Sequence, residues 1–285
     1  MNIDAWLDDK LRSLIPSEEE RSSIQNALFS VGRCLEQAGG EFRIAERYPC
    51  GSFEKMTMQA GRREADYVVV LREAPGDHTL VRLRGLFSQS LGLSDEPVVL
   101  HKAVALHFPT GVKVDVLPVS REGITLAGGA VDDKFRVGLN GLKHVEWFRR
   151  NAHGTPIHPT VRLLKHFRDM NPGWRSLSSF AAEVLAVNVL GSRAFGLGGL
   201  KQHFVEVLSQ VADGYLSGPP GRRLLDPADA GNDLLYSRSD SELRMIQDAA
   251  QAGLRRINAD AWSAVFLGTS AAPAPATNLG GRTLA

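Results

Sequence analysis

The chain has only two cysteines, Cys34 and Cys50, among its 285 residues. That excludes a disulfide framework and points to a reducing compartment. No apolar run approaches the roughly 20 residues that a membrane-spanning helix needs, and the start, Met1-Asn2-Ile3-Asp4, lacks the basic and apolar regions of a signal peptide. The expectation is a soluble, cytosolic protein. Charge imbalance is missing too: 33 Lys and Arg against 32 Asp and Glu leave a net charge of +1, which sets up no global field for nucleic acid. The 8 histidines and 2 cysteines show no Cys/His ligand spacing, so a structural zinc site is not expected. Internal repeats are absent. What remains is 43% hydrophobic residues, enough for a sizeable core in one large or two modest domains.

The stretch that organises the chain is CGSFEKMTMQAGRREADYVVVL, from Cys50 to Leu71. It reads as strand, turn and strand. In a β-strand residues i and i+2 share a face, so Glu64 and Asp66 project side by side ahead of the apolar run Tyr67 to Leu71. Two carboxylates there repel unless something neutralises them, and a hard divalent cation does so. Gly51 lets backbone approach a phosphate, while the Ser52 hydroxyl and nearby N–H groups can donate to its oxygens. A third acid, Asp115, sits inside Val112-Lys113-Val114-Asp115-Val116-Leu117-Pro118-Val119, where an unpaired charge is costly. Three carboxylates on two strands beside a Gly-Ser cradle make the constellation for two-metal nucleotidyl transfer. Taken singly, Glu64 and Asp66 could be solvated edge charges and Asp115 a structural residue.

These residues resemble the 2′-5′-oligoadenylate synthetase and cyclic GMP-AMP synthase superfamily, which includes the bacterial CD-NTases. The likeness is carried by Gly51, Ser52, Lys55, Thr57, Gly61, Arg62, Glu64, Ala65, Asp66, Val68 and Val69, and by Asp115-Val116-Leu117-Pro118. Val161-Arg162-Leu163-Leu164-Lys165-His166-Phe167 and Leu225-Asp226-Pro227-Ala228-Asp229-Ala230-Gly231-Asn232 extend it, so that it covers roughly residues 10 to 267. Met56 replaces the family's glycine between the Lys and the Thr, and Glu64 replaces an Asp. Through Gly51-Ser52-Phe53 and neighbouring pairs the chain also resembles the DZF domains, dimerising pseudoenzymes without the complete acid set. Keeping all three acids favours an enzyme; a silent DZF-like scaffold and an RNA-tailing nucleotidyltransferase are the alternatives.

The resemblance implies an α+β, bilobal fold: a nucleotidyltransferase palm with a mixed β-sheet over residues 1–139, a C-terminal helical domain over 140–268, and a disordered tail over 269–285. It implies catalytic, metal-binding Glu64, Asp66 and Asp115 with two Mg²⁺ ions, Mn²⁺ being the substitute. Gly51, Ser52 and Lys165 would hold the triphosphate of ATP or GTP, and Phe180 would stack on the donor base where oligoadenylate synthetases have Tyr. Lys55 resembles their acceptor-side lysine. For Lys165 the other reading is a solvated helix charge, and for Phe180 a core aromatic. The product that the resemblance implies is a 2′-5′ oligoadenylate or a cyclic oligonucleotide in antiviral signalling. Double-stranded RNA as activator would use Arg12, Arg21, Arg33, Arg149 and Arg150, although residues 151–156 carry no basic residue.

Periodicity places the remaining elements. Ser17 with Glu18, Glu19 and Glu20 reads as a helix start, and Ile24, Leu28, Val31 and Leu35 form the stripe of a long helix behind the catalytic sheet. Strands are predicted over 42–48, 64–71, 98–100, 103–108 and 113–119, with a helix over 79–91. From about residue 140 the pattern turns helical, with helices expected over 161–167, 176–190, 204–216 and 239–257. A Gly-rich connection over 192–200 and a turn over 226–232 at the edge of the active site interrupt it. His144 and His166 read as surface or packing residues.

Overall fold

A computed structural model describes residues 2–73, 75–120, 140–152, 154–191, 198–217 and 224–266. The tail from 269, most of the Gly-rich connection and residues 121–139, the end of the expected palm, lie outside the described residues.

The N-terminal half is a five-stranded mixed sheet of β1 (Ile44–Cys50), β2 (Glu64–Leu71), β3 (Val98–Val99), β4 (Val104–His107) and β5 (Lys113–Ser120). Their order is β1-β2-β5-β4-β3, with β2 and β5 parallel and the other pairs antiparallel. Alternation along β2 divides its residues between two cores. Ala65, Tyr67, Val69 and Leu71 pack with α2 (Glu18–Gln37) and α5 (Asp77–Ser90) on one face. On the other, Val68 and Val70 meet Cys50, Val119 and Val145 of α6 (Asn140–Ala152). Glu64 and Asp66 belong by parity to this second face.

Helix α2 forms where its cap predicts. Ser17 Oγ accepts the Glu20 N–H at 3.1 Å, and Glu20 Oε2 accepts the Ser17 N–H at 2.9 Å, satisfying two otherwise unpaired donors. All four stripe residues are buried against the sheet, as expected. The other oxygen of Glu20 accepts the Gly61 N–H at 2.8 Å, which ties the start of this helix to the turn feeding β2.

The second half is helical: α6, α7 (Ile157–Met170), α8 (Ser179–Leu190), α9 (Leu200–Ala212), α10 (Asp240–Asn258) and α11 (Trp262–Phe266). Its core gathers Phe167 against Trp174, edge to face at 4.9 Å, with Phe204 and Phe266 around them. Leu7 and Leu14 of α1 (Ile3–Leu14) are buried in this core, so the N-terminal helix packs on α7 and α9. Helix α8 is apolar nearly all round and is buried accordingly. The turn expected over 226–232 is a hairpin of β6 (Leu225–Asp226) and β7 (Asp229–Asp233). Among the described residues no helix is long and apolar enough to cross a membrane.

Candidate active site

A cleft of about 390 Å³ opens between the sheet and the helical half, within the range of ligand pockets. Its floor begins at the end of β1, where the chain makes one helical turn, α4 (Gly51–Glu54), in place of an open loop. Gly51 has φ +74°, and a Cβ there would stand 1.9 Å from Asp66 Oδ2. Only glycine lets the turn and the carboxylate come this close. The Ser52 carbonyl accepts the Thr57 and Met58 N–H groups at 2.9 and 3.1 Å, folding the chain back. Met56, at the family's glycine position, has φ +56°, a left-handed conformation that costs a side chain energy.

Gly51, Ser52, Lys55, Glu64, Asp66, Lys165 and Phe180 all line the cleft. Asp115 stands one strand away, where the parallel register sets it opposite Asp66 and sets Lys113 opposite Glu64. Lys113 Nζ lies 2.9 Å from Asp115 Oδ2, while Asp115 Oδ1 is buried without a hydrogen-bond partner among the described residues. Burial, and next the charge of Asp115, push the Asp66 carboxyl above its ordinary range. Like charges in register, with one buried oxygen unsatisfied, are what a hard divalent cation on oxygen ligands relieves. The donor set therefore fits Mg²⁺ in its chemistry. In the present side-chain conformations no three acidic, His or Cys groups among the described residues stand in ligating geometry, and Lys113 supplies the positive charge.

The other wall belongs to the helical half. Lys165 is not a solvated helix charge: it is 4% exposed, and its Nζ meets Glu183 Oε1 at 2.5 Å, Thr57 Oγ1 at 2.7 Å and the Thr57 carbonyl at 3.3 Å. Lys55 Nζ pairs with Glu183 Oε2 and lies 4.7 Å from the centre of the Phe180 ring. Burial pushes the Glu183 carboxyl up, but the two lysines outweigh it and hold the group down at about 2. Glu183 had not been anticipated, although it is the single charged residue in the apolar helix SFAAEVLAVNVL.

Phe180 is half-buried at the cleft wall, with the His144 ring 4.1 Å away. His144 Nε2 is 2.6 Å from Asp226 Oδ1, so His144 is a cleft residue fastened to the hairpin rather than a surface one. Asp226, 2% exposed, also accepts from the Ala228 N–H at 2.8 Å and from Asn232 Nδ2 at 3.2 Å. His166 is a packing residue as read, stacked on Phe266 at 5.6 Å. Among the arginines considered for RNA, Arg12, Arg21 and Arg149 each pair with a carboxylate, of Asp9, Glu18 and Glu54, and Arg33 lies 6.0 Å from the Phe29 ring centre.

No family model matches the chain. In solved structures the fold is similar to CdnC of E. coli MS115-1 in its complex with HORMA-deltaN, at TM-score 0.73 and 17% identity over 94% of this chain and 98% of that one. CdnC with ATP gives 0.70 and 17%, over 93% and 98%. The Cid1 poly(U) polymerase bound to MgGTP gives 0.68 and 13%, over 94% and 99%. The chain has the nucleotidyltransferase fold of these proteins, and the resemblance drawn from the motifs holds at the level of fold.

Proposed function

We propose that the chain is a template-independent nucleotidyltransferase that joins ATP, and other nucleoside triphosphates, into a 2′-5′-linked oligoadenylate or a cyclic oligonucleotide second messenger for antiviral signalling. The observation that carries this reading is the register of Asp66 on Asp115 beside Gly51, whose missing side chain leaves room for the Asp66 carboxylate at the mouth of the cleft.

Each residue has a role in such a transfer. The Gly51–Ser52 turn offers N–H and hydroxyl donors to a triphosphate, and Lys55 and Lys165 add positive charge behind it. The half-buried face of Phe180 supports a base without reading its edge. Divalent ions held by Glu64, Asp66 and Asp115 would neutralise charge at the α-phosphate and acidify the attacking ribose hydroxyl. Asp115 would help to take the proton of that hydroxyl, and pyrophosphate would leave. CdnC, similar in fold, is described with ATP, and Cid1 with magnesium and GTP, which supports a nucleotide and a divalent ion here.

Cid1 is a poly(U) polymerase, and that likeness favours a second reading in which the acceptor is an RNA 3′ end. Activation by double-stranded RNA is a separate proposal. The test is incubation of purified protein with labelled ATP, then with all four triphosphates, with Mg²⁺, with and without single-stranded or double-stranded RNA. Products are resolved with nucleases that separate 2′-5′ from 3′-5′ linkages. A short or cyclic product that Asp115→Ala abolishes supports the messenger reading; extended RNA supports the second. No product in any mixture, with no Mg²⁺-dependent ATP binding, overturns both and leaves the silent scaffold.

A further inference from the structure

We infer that Glu183 is a positioning residue for the nucleotide cleft: its carboxylate holds Lys55 and Lys165 together and locks the turn ending at Thr57 onto the helical half. The inference rests on the nucleotide-transfer reading for its kinetic consequences, though not for the lock itself.

Glu183 sits at the centre of a buried hydrogen-bond cluster. Lys165 has three N–H donors, and all three are used, on Glu183 Oε1, Thr57 Oγ1 and the Thr57 carbonyl. The Thr57 hydroxyl accepts from Lys165 and donates its own proton to Glu183 Oε1 at 2.8 Å. Glu183 Oε2 takes Lys55. One carboxylate thus joins the turn after β1 to α7 and α8, across 126 and 128 residues of sequence. A Lys165 with every donor occupied acts on a triphosphate through its charge and through the turn that it holds.

Charge arithmetic explains why an acid is needed. Lys55, Lys165 and Glu183 are 7%, 4% and 1% exposed, and two ammoniums less one carboxylate leave one positive charge on the wall of the cleft. The charged groups around Lys165 are Glu183, Lys55 and Arg168, and burial already draws its pKa below the ordinary lysine value. Without the carboxylate, Lys165 loses its counter-charge and sheds its proton at lower pH, while Lys55 keeps only the charge of Asp66 near it. The cleft then loses positive charge as the solution becomes alkaline.

The experiment compares wild type, Glu183→Gln, which keeps size and removes charge, and Glu183→Asp. It measures kcat and KM for ATP from neutral to alkaline pH, and the unfolding midpoint of the nucleotide-free protein across the same range. For Glu183→Gln the expected result is a KM raised by at least about tenfold, the loss of one charge-assisted contact, with a smaller change in kcat. A new decline of kcat/KM toward alkaline pH should accompany it, and Glu183→Asp should recover both in large part. The nucleotide-free Gln variant should gain stability as pH rises, because its unfolded lysines bind more protons than the folded ones. A wild-type KM and pH profile in Glu183→Gln would overturn the inference. If wild type transfers no nucleotide, the functional reading fails, and the stability curves alone decide the lock: coincident curves for wild type and Glu183→Gln overturn it. Should Glu183→Gln not fold, Lys55→Met with Glu183→Gln restores the wild-type count of one positive charge, and a wild-type stability profile in that double variant overturns the inference.

Discussion

Asp66 and Asp115 face one another in register across the parallel β2–β5 pair, and burial together with the Asp115 charge raises the Asp66 pKa. A carboxyl whose folded pKa lies above its unfolded value favours folding most when protonated, at low pH, and loses that contribution as pH rises through the folded pKa. Without metal, Asp66→Asn should therefore be more stable than wild type at neutral pH, with the gap closing as pH falls through the folded pKa toward the ordinary Asp value of 3.8. Mg²⁺ should raise the unfolding midpoint of wild type and leave the variant unmoved. Nucleotide transfer should drop by more than about 100-fold, since even outer-sphere partners of a metal are worth 10–100-fold. Equal Mg²⁺ stabilisation of both proteins would remove Asp66 from the metal set.

Gly51 and Met56 make a matched pair of opposite sign. Gly51→Ala places a Cβ 1.9 Å from Asp66 Oδ2 at φ +74° and should cost at least about 1–2 kcal/mol from backbone strain alone. Met56→Gly relieves φ +56° at a half-exposed side chain and should stabilise by up to about 1 kcal/mol. Denaturant titration of both variants checks the two signs.

The His144–Asp226 pair ties the β6–β7 hairpin to a side chain that lines the cleft. Asp226→Ala leaves three donors without their acceptor and should destabilise by about 3 kcal/mol or more. Limited proteolysis should then cut within 224–233 first. Because His144 also packs against Phe180, the KM for ATP should rise as well. Unchanged protection of the hairpin would show that other contacts hold it.

His166 is partly buried against Phe266, its Nε2 is buried without a hydrogen-bond partner among the described residues, and burial draws its pKa from 6.5 down to about 4. The folded value is depressed, so the unfolded chain takes up a proton first and stability is lost as pH falls from 6.5 toward about 4. His166→Phe should flatten that part of the stability curve. An identical slope in wild type and variant would place the acid sensitivity elsewhere.

Much of the fold was legible in the sequence because periodicity reports a face. The stripe Ile24, Leu28, Val31 and Leu35 needed only a 3.6-residue repeat to identify the back of the sheet, and the Ser17–Glu20 cap named the start of that helix. Parity along β2 likewise set Glu64 and Asp66 on one side. The family likeness singled out Lys165 and Phe180, both of which line the cleft, whereas their surroundings were not legible. The solvated-lysine alternative fails because α7 turns Lys165 inward onto Thr57.

What the sequence determined by itself is which residue types occupy which face of each element, including a glycine before the acids and a lone acid in an apolar helix. Which faces meet was decided only by the tertiary structure. The register placing Asp115 on Asp66, the carboxylate of Glu183 shared by two lysines, and the His144–Asp226 tie across 82 residues all arise from packing. Helical and strand periods are local properties of the backbone, but the pairing of buried charges follows from their shared need to escape desolvation, and distance along the chain does not encode it.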